Sequence, residues 1–319
     1  MTPTEDLTTD PALRSQLDRL LGLIAEPAPI RTAIVHPCDA VSLGGAMAAA
    51  RMRLIVPVLI GPAARIAAAA AESGEDLTGI EIIATDHSHA AADTACGLAR
   101  SGAVAAIMKG CLHTDELMAA AIDRDTGLRT DRRMSHVFIF DVPTYPRPLF
   151  ISDAAVNIAP DLATKKDIVQ NAIDCALALG IARPRVAILA AVETVDPDMM
   201  ATIDAAALAK MADRGQIIGG LVDGPLAFDN AISKTAAAMK EIVSPVAGIA
   251  DVLIVPNIES GNMIAKQLTY LANAQSAGIV MGARVPIILT SRADGLLSRL
   301  ASCAVAVLVA RHERSKPPR

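Results

Sequence analysis

The chain has 319 residues, of which 52% are apolar and 20% charged, with a formal net charge of −5. No apolar run approaches the roughly 20 residues that cross a bilayer, and interspersed charge of this sign leaves no footprint for a polyanion, so neither membrane nor nucleic-acid binding is expected. Four Phe, two Tyr and no Trp give few platforms on which bases could stack, so Ala, Val, Ile, Leu and Met must build the core.

The chain starts with Glu5, Asp6 and Asp10 where a secretory signal would carry positive charge and then an apolar stretch. Apolar, β-branched runs at 32–35, 54–60, 80–84, 104–108, 136–141 and 149–152 predict strands, continued at 185–189, 216–222, 252–255 and 285–289. Between them, 63–72, 90–100, 165–179, 201–212 and 263–274 are rich in helix formers. Such alternation predicts an α/β fold, mainly parallel sheets with flanking helices, whose ligands bind beyond the carboxyl ends of strands. The length suits two domains. Pro143, Pro146 and Pro148 bar the stretch 138–150 from being one central strand, which leaves an edge hairpin or a turn near a domain boundary. Cys38, Cys96, Cys111, Cys175 and Cys303 are odd in number and contain no C-x-x-C pair, which points to reduced thiols in a cytoplasm.

The common dinucleotide, P-loop, zincin and nucleophile-elbow signatures are missing. Five predicted strand ends instead carry polar residues beside Gly or Pro. At the first, Lys109-Gly110 leads into His113-Thr114, with Thr114 as a candidate N-cap; a glycine turn feeding a helix N-terminus presents N–H groups to an anion, although a capped surface helix explains the same residues. Asp153 and Asn157 follow the second, as ligand contacts or as turn residues bonding their own backbone. Asp223 stands before a Gly224-Pro225 turn that does not account for it. At the fourth, Ser260 or Asn262 is a candidate cap. The fifth is Ser291-Arg292-Ala293-Asp294: Ser291 and Asp294 have capping-box spacing, but Arg292 opposes the helix dipole, and a bound phosphate would account for it. His87 and His89 form an H-x-H pair without a third ligand in evidence.

Taken in order, these stretches resemble the phosphate acetyltransferase and phosphate butyryltransferase family. The most specific parts are Asp223-Gly224-Pro225-Leu226 with Asp229, Ser244-Pro245-Val246-Ala247-Gly248, Gly261-Asn262 and Thr290-Ser291-Arg292-Ala293-Asp294. The resemblance spans about Arg31 to Val309. It implies a fold similar to isocitrate and isopropylmalate dehydrogenases, with 1–130 plus 281–319 as one domain, 131–280 as the other, and a cleft between them. It implies the reaction of a short acyl-CoA with phosphate to give acyl phosphate and CoA, without metal or resident cofactor, in a homodimer or larger homo-oligomer. Carried over, Ser291 would bond the reacting oxygen, Arg292 would hold phosphate and Asp294 would serve as base. Lys109, Gly110, His113, Thr114, Asp153, Asn157, Asp223 and Asn262 would contact substrate.

Two departures bear on this. The acetyltransferase branch has an aspartate seven positions after the serine, where this chain has Ser298, and an arginine of that branch is missing where Ala119, Ala120 and Ala121 stand. Acetyl is the favoured acyl group and butyryl the alternative. Two readings of other classes stay open: a CoA- or acyl-phosphate-binding protein without turnover, and a metal- and NAD-dependent dehydrogenase using carboxylates such as Asp223, Asp229 and Asp251.

Overall fold

The computed structural model describes residues 20, 22–23, 28–290 and 294–315. Among the described residues eleven strands form one sheet: β1 Ile30–Val35, β2 Ile55–Gly61, β3 Glu81–Ala84, β4 Ala106–Lys109, β5 Ser135–Asp141, β6 Leu149–Ser152, β7 Arg185–Leu189, β8 Leu221–Leu226, β9 Val252–Ile254, β10 Gln275–Met281 and β11 Ile287–Ile288. Their spatial order is β3-β2-β1-β4-β11-β10-β5-β6-β9-β7-β8. The pairs on either side are parallel, as the alternating sequence predicts; β10 is antiparallel to both neighbours, and β5 to β6. Two parallel blocks running in opposite directions therefore meet around β10.

The helices that flank this sheet are α1 Ala40–Arg51, α2 Ala63–Ser73, α3 Ser88–Arg100, α4 Thr114–Ile122, α5 Leu162–Ala178, α6 Met200–Asp213, α7 Phe228–Ile232, α8 Lys234–Met239, α9 Ile258–Leu271 and α10 Leu296–Ser315. No described helix is long and apolar enough to cross a membrane. Side-chain caps set several starts: Asp39 accepts from Ser42 N–H, Asp161 from Thr164 N–H and Asn257 from Ser260 N–H. The run from Arg299 to Ala310 on α10 is buried, and most of it belongs to the largest apolar cluster together with residues of β1, β5 and β10.

The sequence-based expectations need four corrections. β10 was not expected at all. It is buried along almost its whole length and built partly of Ser, Ala and Gly, so it shows neither the alternation nor the β-branched density that marks a strand. The hairpin β5–β6 sits in the middle of the sheet rather than at an edge, because Pro143, Pro146 and Pro148 all fall in its loop and cost the ladder nothing. β8 starts later than 216 and runs through Gly224-Pro225 to Leu226. A bulge there sets those two residues against Ile188, on the edge strand where proline is tolerated. His113, not Thr114, is the N-cap of α4, and Asn257 rather than Ser260 or Asn262 caps α9.

Gly278 on β10 ties the seam together. A Cβ at this position would lie 2.8 Å from the Leu289 carbonyl oxygen and 2.9 Å from His136 Nε2. Its N–H points out of the ladder and donates to Ser302 Oγ of α10 at 2.9 Å. We expect Gly278→Ala to lower stability by about 1–3 kcal/mol through overpacking. The unfolding midpoint in urea measures this, and an unchanged midpoint would show that the seam has slack.

Candidate functional site

A cleft of about 680 Å³ opens beyond the carboxyl ends of β4 and β11. That is where an α/β sheet of this kind is expected to hold a ligand, and the size falls in the range of small-molecule sites. Lys109, His113 and Thr114 line it from the β4–α4 turn, Asn262 from α9, and Asp294 from the segment before α10. Five sequence-predicted residues thus converge from three places in the chain.

The β4–α4 turn is built without spare room. Lys109 is the last residue of β4 and is buried. A Cβ on Gly110 would lie 2.4 Å from the Val35 carbonyl oxygen, so only glycine lets the turn close against β1, where Gly110 N–H donates to that same oxygen at 2.9 Å. The next residues start α4. Asp115 and Glu116 occupy its first turn, where carboxylates complement the helix dipole, and Glu116 accepts from His113 N–H at 3.4 Å. The hydroxyl of Ser88, which donates to the Glu116 carboxylate, holds that group below its usual range despite the opposing effect of burial.

The segment after β6 carries Asp153 and Asn157, and the structure gives both an internal task. Asp153 Oδ1 accepts from the N–H groups of Ala155 at 2.9 Å and Val156 at 3.1 Å. Its Oδ2 accepts from Asn157 N–H at 3.0 Å and Asn157 Nδ2 at 2.6 Å. Asn157 Nδ2 also reaches the Met134 carbonyl at 2.9 Å. These bonds shape a turn onto which α9 packs through Gly261, where a Cβ would meet Val255, Asp153 and Ala154 at 2.8–3.0 Å. Asn262 Nδ2 donates to the Ala154 carbonyl at 3.4 Å. The turn that Asp153 and Asn157 shape thus carries the carbonyl that Asn262 meets.

Asp223 is not brought there. It lies on the edge strand β8, four strands from β5, or roughly 19 Å at the usual spacing. Its Oδ1 accepts from Gly224 N–H at 2.9 Å. Ser291, Arg292 and Ala293 lie outside the described residues.

Sequence reasoning missed the floor of the cleft. His136, Phe138 and Phe140 alternate along β5 and form a row, with ring centroids 4.3 Å apart for the first pair and 5.4 Å for the second. Lys266, Thr269 and Tyr270 continue the Asn262 face of α9 at helical spacing, and Tyr270 is 72% exposed at the side of the cleft. A signal was present: in a chain with four Phe and two Tyr, two Phe and one Tyr gather on one cavity. Arg299 was also missed. It is buried on α10, its Nη1 donates to Thr290 Oγ1 at 3.0 Å, and it lines a smaller cavity of about 270 Å³ that shares Lys109 and Thr290 with the main cleft.

Among the described residues no three His, Cys, Asp or Glu side chains come together as a metal site. Of the H-x-H pair, His87 caps α3 by accepting from Ala90 N–H at 3.2 Å, and His89 faces Glu116 at 3.7 Å.

Residues 89–307 match the family model described as phosphate acetyl/butaryl transferase. The chain belongs to that family. Its relatives include a phosphate acetyltransferase of Rhizobium meliloti, 57% identical over 305 residues that cover 96% of each chain. A phosphate acetyltransferase of Rickettsia felis is 55% identical over 289 residues, 90% of this chain and 83% of that one. Among solved structures, a branched-chain phosphotransacylase from Enterococcus faecalis superposes with a TM-score of 0.77 at 28% identity, covering 89% of this chain and 99% of that one. The Thr290-to-Asp294 stretch that carried much of the resemblance falls within the part of the chain that matches the phosphate acetyl/butaryl transferase model.

In this family member the His136 ring is a buried titratable group at the cleft floor. Burial pushes its pKa down to about 4, against the upward pull of Asp153 and of the Leu289 carbonyl. Between pH 4 and 6.5 the unfolded chain protonates this histidine and the folded chain does not, so stability is full above about pH 6.5 and declines as pH falls towards 4. We expect His136→Gln to flatten this slope in urea titrations between pH 4 and 7; identical slopes in both proteins would contradict it.

Proposed function

We propose that the chain transfers a short acyl group between CoA and inorganic phosphate, with acetyl as the preferred group. The observation that carries this reading is the convergence of Lys109, His113, Thr114, Asn262 and Asp294 on one cleft. The acetyl preference draws support from relatives 55–57% identical that are named phosphate acetyltransferase.

Chemistry at the carbonyl carbon suits this site. A phosphate oxygen attacks the thioester carbonyl, the new C–O bond gives a tetrahedral species, and its C–S bond then breaks so that CoA leaves as a thiol. The oxygen of the tetrahedral species carries the developing charge, so donors aimed at it supply much of the acceleration. In our reading Ser291 donates there and Arg292 clamps phosphate through paired N–H bonds. Lys109 adds positive charge at the end of β4. Asp294 takes the proton of the attacking hydrogen phosphate and passes it to the departing sulfur, and in the reverse direction takes the thiol proton as base, the part proposed in the acetyltransferase branch for an aspartate where this chain has Ser298. The aromatic row of β5 supplies an apolar wall against the acyl and thioester end. No resident cofactor enters this scheme, since CoA and phosphate are substrates.

The same proposal includes a division into 1–130 with 281–319 and 131–280, in the manner of isocitrate dehydrogenase. It is supported by β11, which carries the end of the chain back to β4 in a parallel pair while its other side pairs with β10. A cytoplasmic homo-oligomer completes it.

The direct test is phosphate-dependent release of thiol from acetyl-CoA and butyryl-CoA with EDTA present. Release, faster with acetyl-CoA, is expected; no release from either favours a binder without turnover, and a requirement for divalent metal favours the dehydrogenase. Ser291→Ala should lower the rate about a hundred- to thousandfold while costing about 1 kcal/mol of stability at most. If turnover survives that change, Ser291 is a cap and not a catalytic group. Asp294→Asn should remove one limb of the pH–rate profile, and an unaltered profile would rule Asp294 out as the base.

A further inference from the structure

Two cysteines that the reaction does not use sit beside the tightest turn of the site. Cys38 follows β1 and Cys111 follows β4, the neighbouring parallel strand. Both backbone N–H groups converge on a single atom, the His36 carbonyl oxygen, at 2.8 Å from Cys38 and 2.9 Å from Cys111. A shared acceptor sets the two backbones side by side, the arrangement a disulfide needs, since it joins Cα atoms only about 4.4–6.8 Å apart. The side chains share a neighbourhood as well. The Cys111 thiol bonds the Asp39 carboxylate, and the Cys38 thiol lies near Arg65, Cys111 and Asp39. Both residues are partly exposed, whereas Cys96, Cys175 and Cys303 are buried.

We propose that Cys38 and Cys111 are a redox modification site, which a hydroperoxide closes into a disulfide that switches off the adjoining cleft. The Cys38 thiolate, beside the Arg65 guanidinium, attacks a peroxide oxygen; the O–O bond breaks and the sulfur becomes a sulfenic acid. The Cys111 sulfur then attacks that sulfur, the S–S bond forms, the S–O bond breaks and water leaves. Two thiols give up two electrons, and one hydrogen peroxide becomes two waters. Burial raises the Cys38 pKa, against the lowering effect of Arg65, and keeps the thiolate fraction low. A disulfide in a reducing compartment is typically of this transient, sensing kind.

The coupling to the cleft follows from lack of slack. Closing the bond takes Cys111 off Asp39, which caps α1 and lines the small cavity with Lys109, Gly110 and Arg299. Gly110, directly before Cys111, already touches the Val35 carbonyl, so the turn cannot absorb the shift without moving Lys109. This last step rests on the proposed role of the cleft.

The test treats the purified full chain with hydrogen peroxide, alkylates remaining thiols and maps tryptic peptides without reduction. The expected product joins peptide 32–51 to peptide 110–124. Acyl transfer should fall about fivefold or more and return on adding dithiothreitol. Cys38→Ser should keep basal activity, form no such product and resist the oxidant. Separate oxidised acids on the two cysteines, or joins to Cys96, Cys175 or Cys303 instead, would overturn the site. A disulfide formed with activity intact would overturn its coupling to the cleft. The peptide map needs no turnover, so failure of the transferase reading leaves this part of the test standing.

Discussion

Seven paired residues between β5 and β10 hold the two halves of the sheet together, and the site depends on that register. Side chains alternate along a strand, so a slip of one residue would turn His136, Phe138 and Phe140 from the cleft to the opposite face. On the other side of β10, its pairing with β11 sets Gly278 beside Leu289, and the pairing of β11 with β4 brings the end of β11 next to Lys109. A parallel block alone would leave these groups on separate elements. The antiparallel seam makes one cavity from a strand-end turn, an aromatic row and the face of α9.

Much of the fold was legible because most strands alternate with Ala-rich helices and end in Gly, Pro or a capping residue. β7 is an instance, with the same bounds in sequence and structure. The seam was not legible. β10 is buried on both faces and includes Ser276, Ala277 and Gly278, which carry no periodic signal. What selects a strand there is the space between two neighbours that are far away in sequence. The proline-rich loop misled for the converse reason: proline forbids ladder bonds only where it sits, and the flanking β5 and β6 are free of it.

The site was half legible. Lys109, His113, Thr114, Asn262 and Asp294 could be found because each stands at a turn or helix start, where local sequence carries meaning. Asp153 and Asn157 show the limit of that logic. Their residue types suit turn and ligand equally, and only the bonds to Ala155, Val156 and Asn157 N–H reveal that the turn claims the carboxylate. Asp223 carries part of the strongest resemblance yet sits at the sheet edge, bonded to Gly224. His136 was hidden by the opposite effect: within an apolar run its one polar group reads as noise until the fold aims it at a cavity.

A chain of net charge −5 that handles anionic substrates must place its cations with care. Long-range attraction is weak or adverse here, so in the proposed function affinity would come from short contacts in a low-dielectric cleft. Lys109 is buried at the end of β4, where its charge is screened least. The N-terminus of α4, otherwise an indiscriminate anion trap, already carries Asp115 and Glu116. An incoming anion therefore gains little from the helix dipole and must satisfy the positioned side chains instead. Under the proposed function, that arrangement would give up some affinity for phosphate in general and keep discrimination for a ligand that fills the cleft with both an anionic and an apolar end.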